Sequence, residues 1–434
     1  MRKLYIMQGA PGVGKSYAIS RHRLSRHVIS PDAMRHVLEP SSEAMTEDGS
    51  LEAAYDFSPS NSRAAFAMCE TMCDAKMRRG ETVILDSIAA RRKTIARFLS
   101  LAHRYHYEVA YVDMQHGLTL DEALMRNASR PVKGVPEDVV RVDWERCANY
   151  SLAPGERRVT LDTMLREFTT PDIDANPFGR IVFVADVQGC MTELSRAGVP
   201  DYMADPSTLV VFVGDLLDRG PHDEAHLVLD LAYRCHDARN VIFIEGNHDS
   251  RLYDFGLGDT SLPKQTRESE RDCIEHSPDG EKGLNARATA VASSMLPFAC
   301  IDYGKYRFFV THAGLHPKRI ARHLEVDGAV SHIDDLSMWL LTHGDGNRAG
   351  VSDYNTDVCR VFECEHRKFL PDNVIQVFGH RHLSTTVPGD CPHTFGIETG
   401  AEFGRGLTTL MVTADGRISL SNTVEGKLRF VGEN

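Results

Sequence analysis

Residues Gly9 to Ser16 read GAPGVGKS, a G-x-x-x-x-G-K-[ST] run set between a β-rich stretch, KLYIMQG, and a polar helical one, SYAISRHRLS. Gly9, Gly12 and Gly14 let backbone N–H groups wrap a phosphate chain without Cβ obstruction, and that geometry needs a strand before the loop and a helix after it. Lys15 is placed to reach the β- and γ-phosphates and Ser16 to hold Mg²⁺. The run therefore commits the N-terminal part of the chain to an α/β fold that binds a nucleoside triphosphate.

That loop accounts for only part of the chain. At 434 residues the length exceeds what one core usually organises, so two domains are expected. Short β-rich runs alternate with helical stretches over the first 170 residues, as KLYIMQG, HVIS, TVILD and EVAYVDM separated by SYAISRHRLS, RRKTIARFLSLAHRY and LDEALMRNAS. This βαβα rhythm implies a parallel sheet flanked by helices. PDIDANPFG then interrupts it with two prolines and a glycine, placing a linker over residues 171–180 and a second domain over residues 181–434. The polar segment from about residue 255 to 290 reads as a flexible insertion over or beside the second site.

Composition removes several function classes. No run approaches the roughly eighteen uncharged residues of a membrane span, and no secretion-type segment precedes the glycine loop, so a cytoplasmic location is expected. The ten cysteines form no C-x-x-C pair and read as reduced thiols. A net charge of −12 argues against broad electrostatic binding of a duplex, though not against gripping a nucleic-acid end with a few arginines.

Within the first domain, HVISPDAMR sets Asp32 and Arg35 three apart after a second β-run. If a helix starts at Pro31, they share a face, where a carboxylate can take a hydroxyl proton and an arginine can bind a phosphate of the same acceptor. The same residues also suit a helix cap and a solvated charge. Arg126 and Arg130 in MRNASRPVKG fit a lid over the transferring phosphoryl group, or a charged surface. Asp86, ending TVILD, is placed to assist Mg²⁺, to assist the acceptor, or to cap the next helix.

GAPGVGKS, SPDAMR and RNASR together resemble the polynucleotide 5′-kinase family. The resemblance implies transfer of the γ-phosphate of ATP to a 5′-hydroxyl, with Asp32 as base, Arg35 as acceptor-phosphate ligand, and Arg126 and Arg130 as the lid.

In the second part, IVFVAD, TLVVFVGD, VIFIEGN, RFFVTHAG and VIQVFGH each run a buried-looking strand into a polar cluster. The clusters supply Asp186 and Gln188, then Asp215, Asp218 and Arg219, then Asn247, His248 and Asp249, then His312, and finally His380 and His382. Their order resembles the calcineurin-like metallophosphoesterase superfamily, which implies an α/β sandwich holding two divalent ions about 3.5 Å apart. By that resemblance Asp215 bridges, Asp186 and Gln188 serve the first ion, and Asn247, His312 and His380 complete the second. Arg219 and His248 are placed to neutralise the phosphate and protonate the leaving oxygen, with Asp249 expected to orient His248 and Asp218 to stand behind the ligands.

Gln188 departs from the family's usual histidine. An amide oxygen suits harder ions, Mn²⁺ or Mg²⁺, or leaves room for His382. DVQGC is also similar to the opening motif of dinucleoside-tetraphosphate hydrolases. Glu398 of IETG suits either a water at the metal centre or a structural turn.

The two domains in this order resemble bacterial polynucleotide kinase-phosphatase without its ligase module, since no Lys-x-Asp-Gly motif occurs. That resemblance implies healing of nucleic-acid ends, RNA ahead of DNA, with ATP and a separate ligase as partners; a homo-oligomer stays open. The alternative is a small-molecule kinase fused to a dinucleoside-polyphosphate hydrolase, and a third reading is a regulator with a decayed metal site.

Overall fold

The computed structural model describes residues 2–22, 24–38, 42–45, 51–54, 59–78, 80–129, 135–168, 172–221, 223–256, 258, 262–278, 280–324, 338–344, 358–381, 391–424 and 426–431. They fall into two compact units, one within Arg2–Thr169 and one from Thr170 onward. No helix among them is long and apolar enough to cross a membrane.

The first unit is built on five parallel strands, β1 (Lys3–Gln8), β2 (Val28–Ile29), β5 (Val83–Asp86), β6 (Glu108–Asp113) and β7 (Arg157–Val159), ordered β2-β5-β1-β6-β7. A separate hairpin pairs β3 (Ser42–Met45) with β4 (Leu51–Ala54). Its helices are α1 (Lys15–Arg21), α2 (Pro31–Leu38), α3 (Pro59–Arg78), α4 (Arg92–Arg104), α5 (Leu120–Ala128), α6 (Glu137–Ala148) and α7 (Leu161–Phe168).

The central strands are apolar along nearly their whole length because helices cover both faces of a parallel sheet. Helix α4 shows how those faces are covered: Ile95, Phe98 and Ala102 lie on one stripe and all are buried. Burying a side chain such as Phe98 contributes about 1.5–3 kcal/mol. At α5, Thr119 and Glu122 form a capping box, the Glu122 N–H donating to the Thr119 hydroxyl at 3.2 Å and the Thr119 N–H to the Glu122 carboxylate at 2.8 Å. The chain leaves β1 toward β2 and β5 and later crosses to β6, so the carboxyl end of β1 is a switch point where such sheets hold ligands.

The second unit stacks two sheets. One holds β9 (Arg180–Val184), β10 (Thr208–Val213), β11 (Val241–Ile244), β16 (Thr408–Thr413), β17 (Ile418–Asn422) and β18 (Gly426–Val431), ordered β11-β10-β9-β16-β17-β18. The other holds β8 (Asp172–Asp174), β12 (Ala299–Tyr303), β13 (Tyr306–Val310), β14 (Val374–Phe378) and β15 (Thr394–Gly396), ordered β15-β14-β13-β12-β8. Alternate residues Ile181 and Phe183 of β9 and Leu209, Val211 and Val213 of β10 meet Ile301, Phe308, Val310 and Val377 in one buried cluster. Phe183 and Phe308 join the layers with ring centroids 5.4 Å apart. Helices α8 (Met191–Arg196), α9 (Val199–Ala204), α10 (Ala225–Cys235), α11 (Asp249–Gly256), α12 (Lys264–Glu275), α13 (Gly280–Ser294), α14 (Pro317–Leu324), α15 (Met338–His343) and α16 (Val358–Phe369) complete the unit.

Two expectations are corrected. Residues 172–180 of the expected 171–180 linker are built into the second unit: Asp172–Asp174 pairs in parallel with β12, and Phe178 accepts a hydrogen bond from the Tyr303 hydroxyl at 3.1 Å. Its polar residues make an internal turn instead, the Asn176 N–H donating to the Asp174 carboxylate at 3.0 Å. The supposed flexible insertion contains α12 and α13, and its polar side chains Thr266, Ser269 and Asp272 face inward and are buried.

Gly12 illustrates how closely the glycine loop packs. Its φ of 93° lies in the left-handed region, and a Cβ there would overlap the Ala123 carbonyl of α5. Gly12→Ala is expected to cost about 1–3 kcal/mol by forcing that contact apart, read as a lower urea midpoint for unfolding of the N-terminal unit.

Candidate functional site

In the first unit, the loop after β1 turns into α1 with Gly14 at the N-cap in a left-handed conformation, φ 93°. The Lys15 ammonium lies across the loop, donating to the Gly9 carbonyl at 2.7 Å and the Ala10 carbonyl at 3.3 Å. Ser16 is exposed in the first turn. Gln115 accepts from the Ala10 N–H at 3.2 Å and so ties the loop to the end of β6.

Helix α2 begins at Pro31, which puts Asp32 and Arg35 one turn apart, and the two form an ion pair. Arg35 also donates to the Ser62 hydroxyl at 3.2 Å and lies over the Phe66 ring at 5.7 Å. Asp86 stands at the end of β5, accepting from Ser30 at 3.4 Å. Burial raises its carboxyl pKa, Lys15 works against that rise, and Asp32 adds to it. Lys15, Asp32 and Asp86 therefore share one electrostatic neighbourhood at the strand ends. Arg126 is exposed on α5, one turn beyond the Ala123 that packs on Gly12. Arg130 lies outside the described residues.

In the second unit, loops after β9, β10, β11, β13 and β14 carry Asp186 and Gln188, Asp215, Asn247 and His248, His312, and His380. Donor atoms of Asp215, His312 and His380 lie within 4.8 Å of one another. Asp186 accepts from the His380 N–H at 3.0 Å, Asp215 accepts from the Gln188 amide at 3.1 Å, and the His248 N–H donates to Asp215 at 2.9 Å. Glycines leave the room: a Cβ on Gly379 would overlap the Asp186 carboxylate, and one on Gly246 the Asp215 carboxylate.

The residues fit a pair of divalent cations. His312 Nδ1 faces the Val213 carbonyl at 2.9 Å, and a carbonyl only accepts, so in the neutral ring Nδ1 carries the proton and Nε2 is the bare nitrogen. That bare nitrogen faces the Asn247 side-chain oxygen at 3.0 Å. Two acceptors meet there, an arrangement that a cation between them satisfies. Gln188 Oε1 is likewise buried without a hydrogen-bond partner. Burial pushes the Asp186 carboxyl well above its ordinary range, and Glu398 and Asp215 push it further. Burial also works to raise Asp215, yet His312 and His248 hold it below that range, while burial and His312 press His380 down to about 2. A buried gathering of acids and bare imidazoles is what bound cations compensate.

Residues 4–151 match the family described as AAA domain and residues 179–384 that described as calcineurin-like phosphoesterase. A bis(5′-nucleosyl)-tetraphosphatase PrpE of Oceanobacillus iheyensis is 27% identical over 237 residues, covering 53% of this chain and 87% of its own. Its counterpart in Geobacillus thermodenitrificans is 26% identical over 241 residues, covering 53% and 89%. Among solved structures, the cold-active protein-tyrosine phosphatase of a psychrophilic Shewanella is 16% identical, with a TM-score of 0.38, covering 65% of this chain and 87% of its own. The chain joins a P-loop, kinase-like domain to a calcineurin-like phosphoesterase domain.

The expected roles of two acids in the phosphoesterase domain are exchanged. Asp218, not Asp249, meets His248, with Oδ2 2.8 Å from Nδ1. Asp249 is turned beneath the loops, accepting N–H bonds from Asp215 and Gly246 at 2.8 Å and Leu216 at 3.0 Å. Burial and Asp215 raise Asp249 to about 7 against the pull of those three donors. Asp249 thus holds the β10 and β11 loops together, because its side chain leaves the start of α11 toward the backbone rather than toward its neighbour.

Several contributors carried no sequence motif. Arg251 and Thr266 donate to Asp218 at 3.3 and 2.8 Å. His343 on α15 stands 6.0 Å from His380 between ring centroids, and the fully buried Arg381 donates to the Ala313 carbonyl at 3.1 Å, linking the His380 and His312 loops. Glu398, which the IETG run singles out, is buried where its charge reaches Asp186. Arg219 is half-buried beside Asp218, and His382 lies outside the described residues.

Two substitutions separate these roles. Asp218→Asn is expected to lower the turnover of p-nitrophenyl phosphate by about 10²–10⁴-fold by loosening the His248 ring that Asp218 holds, with the melting temperature little changed. Asp249→Asn is expected to destabilise the fold by about 1–3 kcal/mol, because its amide would face N–H donors, seen as a lower melting temperature.

Proposed function

We propose that this chain heals nucleic-acid ends, phosphorylating 5′-hydroxyls with ATP and removing 2′- or 3′-terminal phosphates, RNA being the favoured substrate. The observation that supports the reading is that Lys15 and Asp32, the latter paired with Arg35, both act on the Asp86 carboxyl at the end of β5. A base and an acceptor-phosphate ligand beside the phosphate-holding lysine suit a hydroxyl that has a phosphodiester next to it.

In the kinase, Lys15 and the loop N–H groups hold the triphosphate, Asp32 takes the hydroxyl proton, and Arg35 grips the neighbouring phosphate. Arg126, with Arg130, stabilises the phosphoryl group in flight. Mg²⁺ at Ser16 would spread the developing charge. In the phosphatase, Asp186, Gln188, Asp215, Asn247, His312 and His380 would hold two divalent cations, Mn²⁺ or Mg²⁺, which would supply an activated water and polarise the phosphoester. Arg219 neutralises phosphate oxygens. His248 gives its Nε2 proton to the leaving oxygen, and Asp218 stabilises the imidazolium that donates it. Sealing would fall to a separate ligase.

A second reading has its own support: DVQGC and the PrpE relatives point to a phosphatase that cleaves dinucleoside tetraphosphates. An RNA with a 5′-hydroxyl and a 3′-phosphate, incubated with and without ATP beside diadenosine tetraphosphate, separates the two. End healing expects a 5′-phosphate only with ATP and loss of the terminal phosphate in both arms. Rapid cleavage of diadenosine tetraphosphate with unchanged RNA would sink it. Lys15→Ala is expected to lower 5′-phosphorylation by more than about 10²-fold and spare the phosphatase, and Asp215→Ala to do the reverse. Loss of both activities in one variant contradicts two separate sites.

A further inference from the structure

Helix α12 lies in the segment whose polarity reads as an insertion, and it contributes no residue to the roles assigned above. Thr266, Ser269 and Asp272 recur every three residues along it, so they share a face, and all three are buried. Asp272 anchors the helix: the His226 N–H near the start of α10 donates to its Oδ2 at 2.9 Å, and the His226 ring Nδ1 lies 3.0 Å from the same oxygen. The other end of that face delivers the Thr266 hydroxyl to Asp218 Oδ2 at 2.8 Å.

Asp218 Oδ2 is also the atom that meets His248 Nδ1 at 2.8 Å. A carboxylate only accepts, so Thr266 gives its O–H and the imidazole its Nδ1–H to one oxygen. Arg251 reaches that oxygen at 3.3 Å, but it stands 3.0 Å from His248 Nδ1 as well. A guanidinium only donates, so Arg251 crowds the Nδ1 proton rather than supporting it. Thr266 is 4% exposed, and its bond to the acid is sheltered from competing water. The far ring nitrogen, His248 Nε2, is buried without a hydrogen-bond partner among the described residues and lies 3.9 Å from Asp215 Oδ2.

We propose that Thr266 is a positioning residue of the phosphatase, whose hydroxyl fixes the Asp218 carboxylate so that the His248 ring presents Nε2 to the leaving oxygen. This rests on the reading of His248 as the proton donor. As the P–O bond breaks, its electron pair stays on the leaving oxygen, which takes the Nε2 proton. Water supplies the oxygen that phosphorus gains, and a proton from that water restores the imidazolium. A buried hydroxyl on the acid limits the swing of the carboxylate, and with it the ring, without touching the substrate. The segment that reads as an insertion thereby belongs to the phosphatase machinery.

The test uses leaving groups of different basicity, because p-nitrophenolate departs with little help from a proton and phenolate needs more. Full-length wild type, Thr266→Val, Thr266→Ser and His248→Ala are compared on phenyl phosphate and p-nitrophenyl phosphate. Thr266→Val should lower kcat for phenyl phosphate by about 10-fold, and that for p-nitrophenyl phosphate clearly less, with KM unchanged. Thr266→Ser, which keeps the hydroxyl, should restore both. A role in stability alone would not distinguish the two esters, so equal or absent losses in Thr266→Val overturn the proposal, as does a Thr266→Ser no better than Thr266→Val. If His248→Ala shows no dependence on the leaving group, the proton-donor reading fails and takes the proposal with it. If His248→Ala shows that dependence and Thr266→Val does not, the proposal alone fails. Should Thr266→Val not fold, Thr266→Ala deletes the same hydroxyl without setting a methyl against the carboxylate, and the same comparison decides.

Discussion

Acceptors facing acceptors at the strand ends of the second unit set the terms for everything around them. Asp186, Asp215 and Glu398 are buried together, and the bare Nε2 of His312 looks onto the Asn247 oxygen. To hold them there the backbone takes left-handed turns at non-glycine positions, with φ of 50° at Asp186, 51° at Gln188, 50° at Asp215 and 63° at His380. Such residues cost about 1–3 kcal/mol each and persist only where their surroundings fix them. At Asp215 the N–H bonds that Asp249 accepts from Asp215, Leu216 and Gly246 do that fixing, and at His380 the bond from its own N–H to the Asp186 carboxylate does. Gly246 and Gly379 do the complementary work of staying out of the way.

The first unit solves the opposite problem. Its loop gathers N–H donors and an ammonium rather than acids, so it awaits an anion, and the Lys15 charge rests on the Gly9 and Ala10 carbonyls. Strain there is carried by Gly12 and Gly14, where left-handed turns are cheap. The contrast lies in what the turns carry: the first places glycines there, while the second places Asp186, Gln188, Asp215 and His380, whose side chains meet at the strand ends.

Much of this was legible because both sites hang on strand ends. A buried run that stops at Asp, Asn or His marks where a strand delivers a side chain, and five such runs pointed to one edge. What could not be read was direction within a loop. His248 and Asp249 are adjacent, so a pairing between them looked natural, yet neighbours at the start of a helix diverge, and the acid that meets His248 is Asp218, thirty positions earlier. Composition misled in α12, where the buried Thr266 and Asp272 are polar because they bond Asp218 and His226 inside the unit, and not because they face water. The linker reading failed for a related reason: Asp174 and Asn176 serve a turn within the sheet.

Gln188 shows how one side chain can couple two ligands. Its amide N–H₂ is engaged on Asp215, and in an amide the oxygen is attached to the same carbon, so the bond that steadies the acid also sets where Oε1 points. An imidazole at this place would offer a nitrogen to the cation, whereas the amide offers oxygen. The Asp186 side of the cluster is therefore all oxygen, and the opposite side mixes the Asn247 oxygen with two imidazoles. Hard cations prefer the first set and borderline ones the second, so the two halves of this centre are chemically unlike even though Asp215 belongs to both.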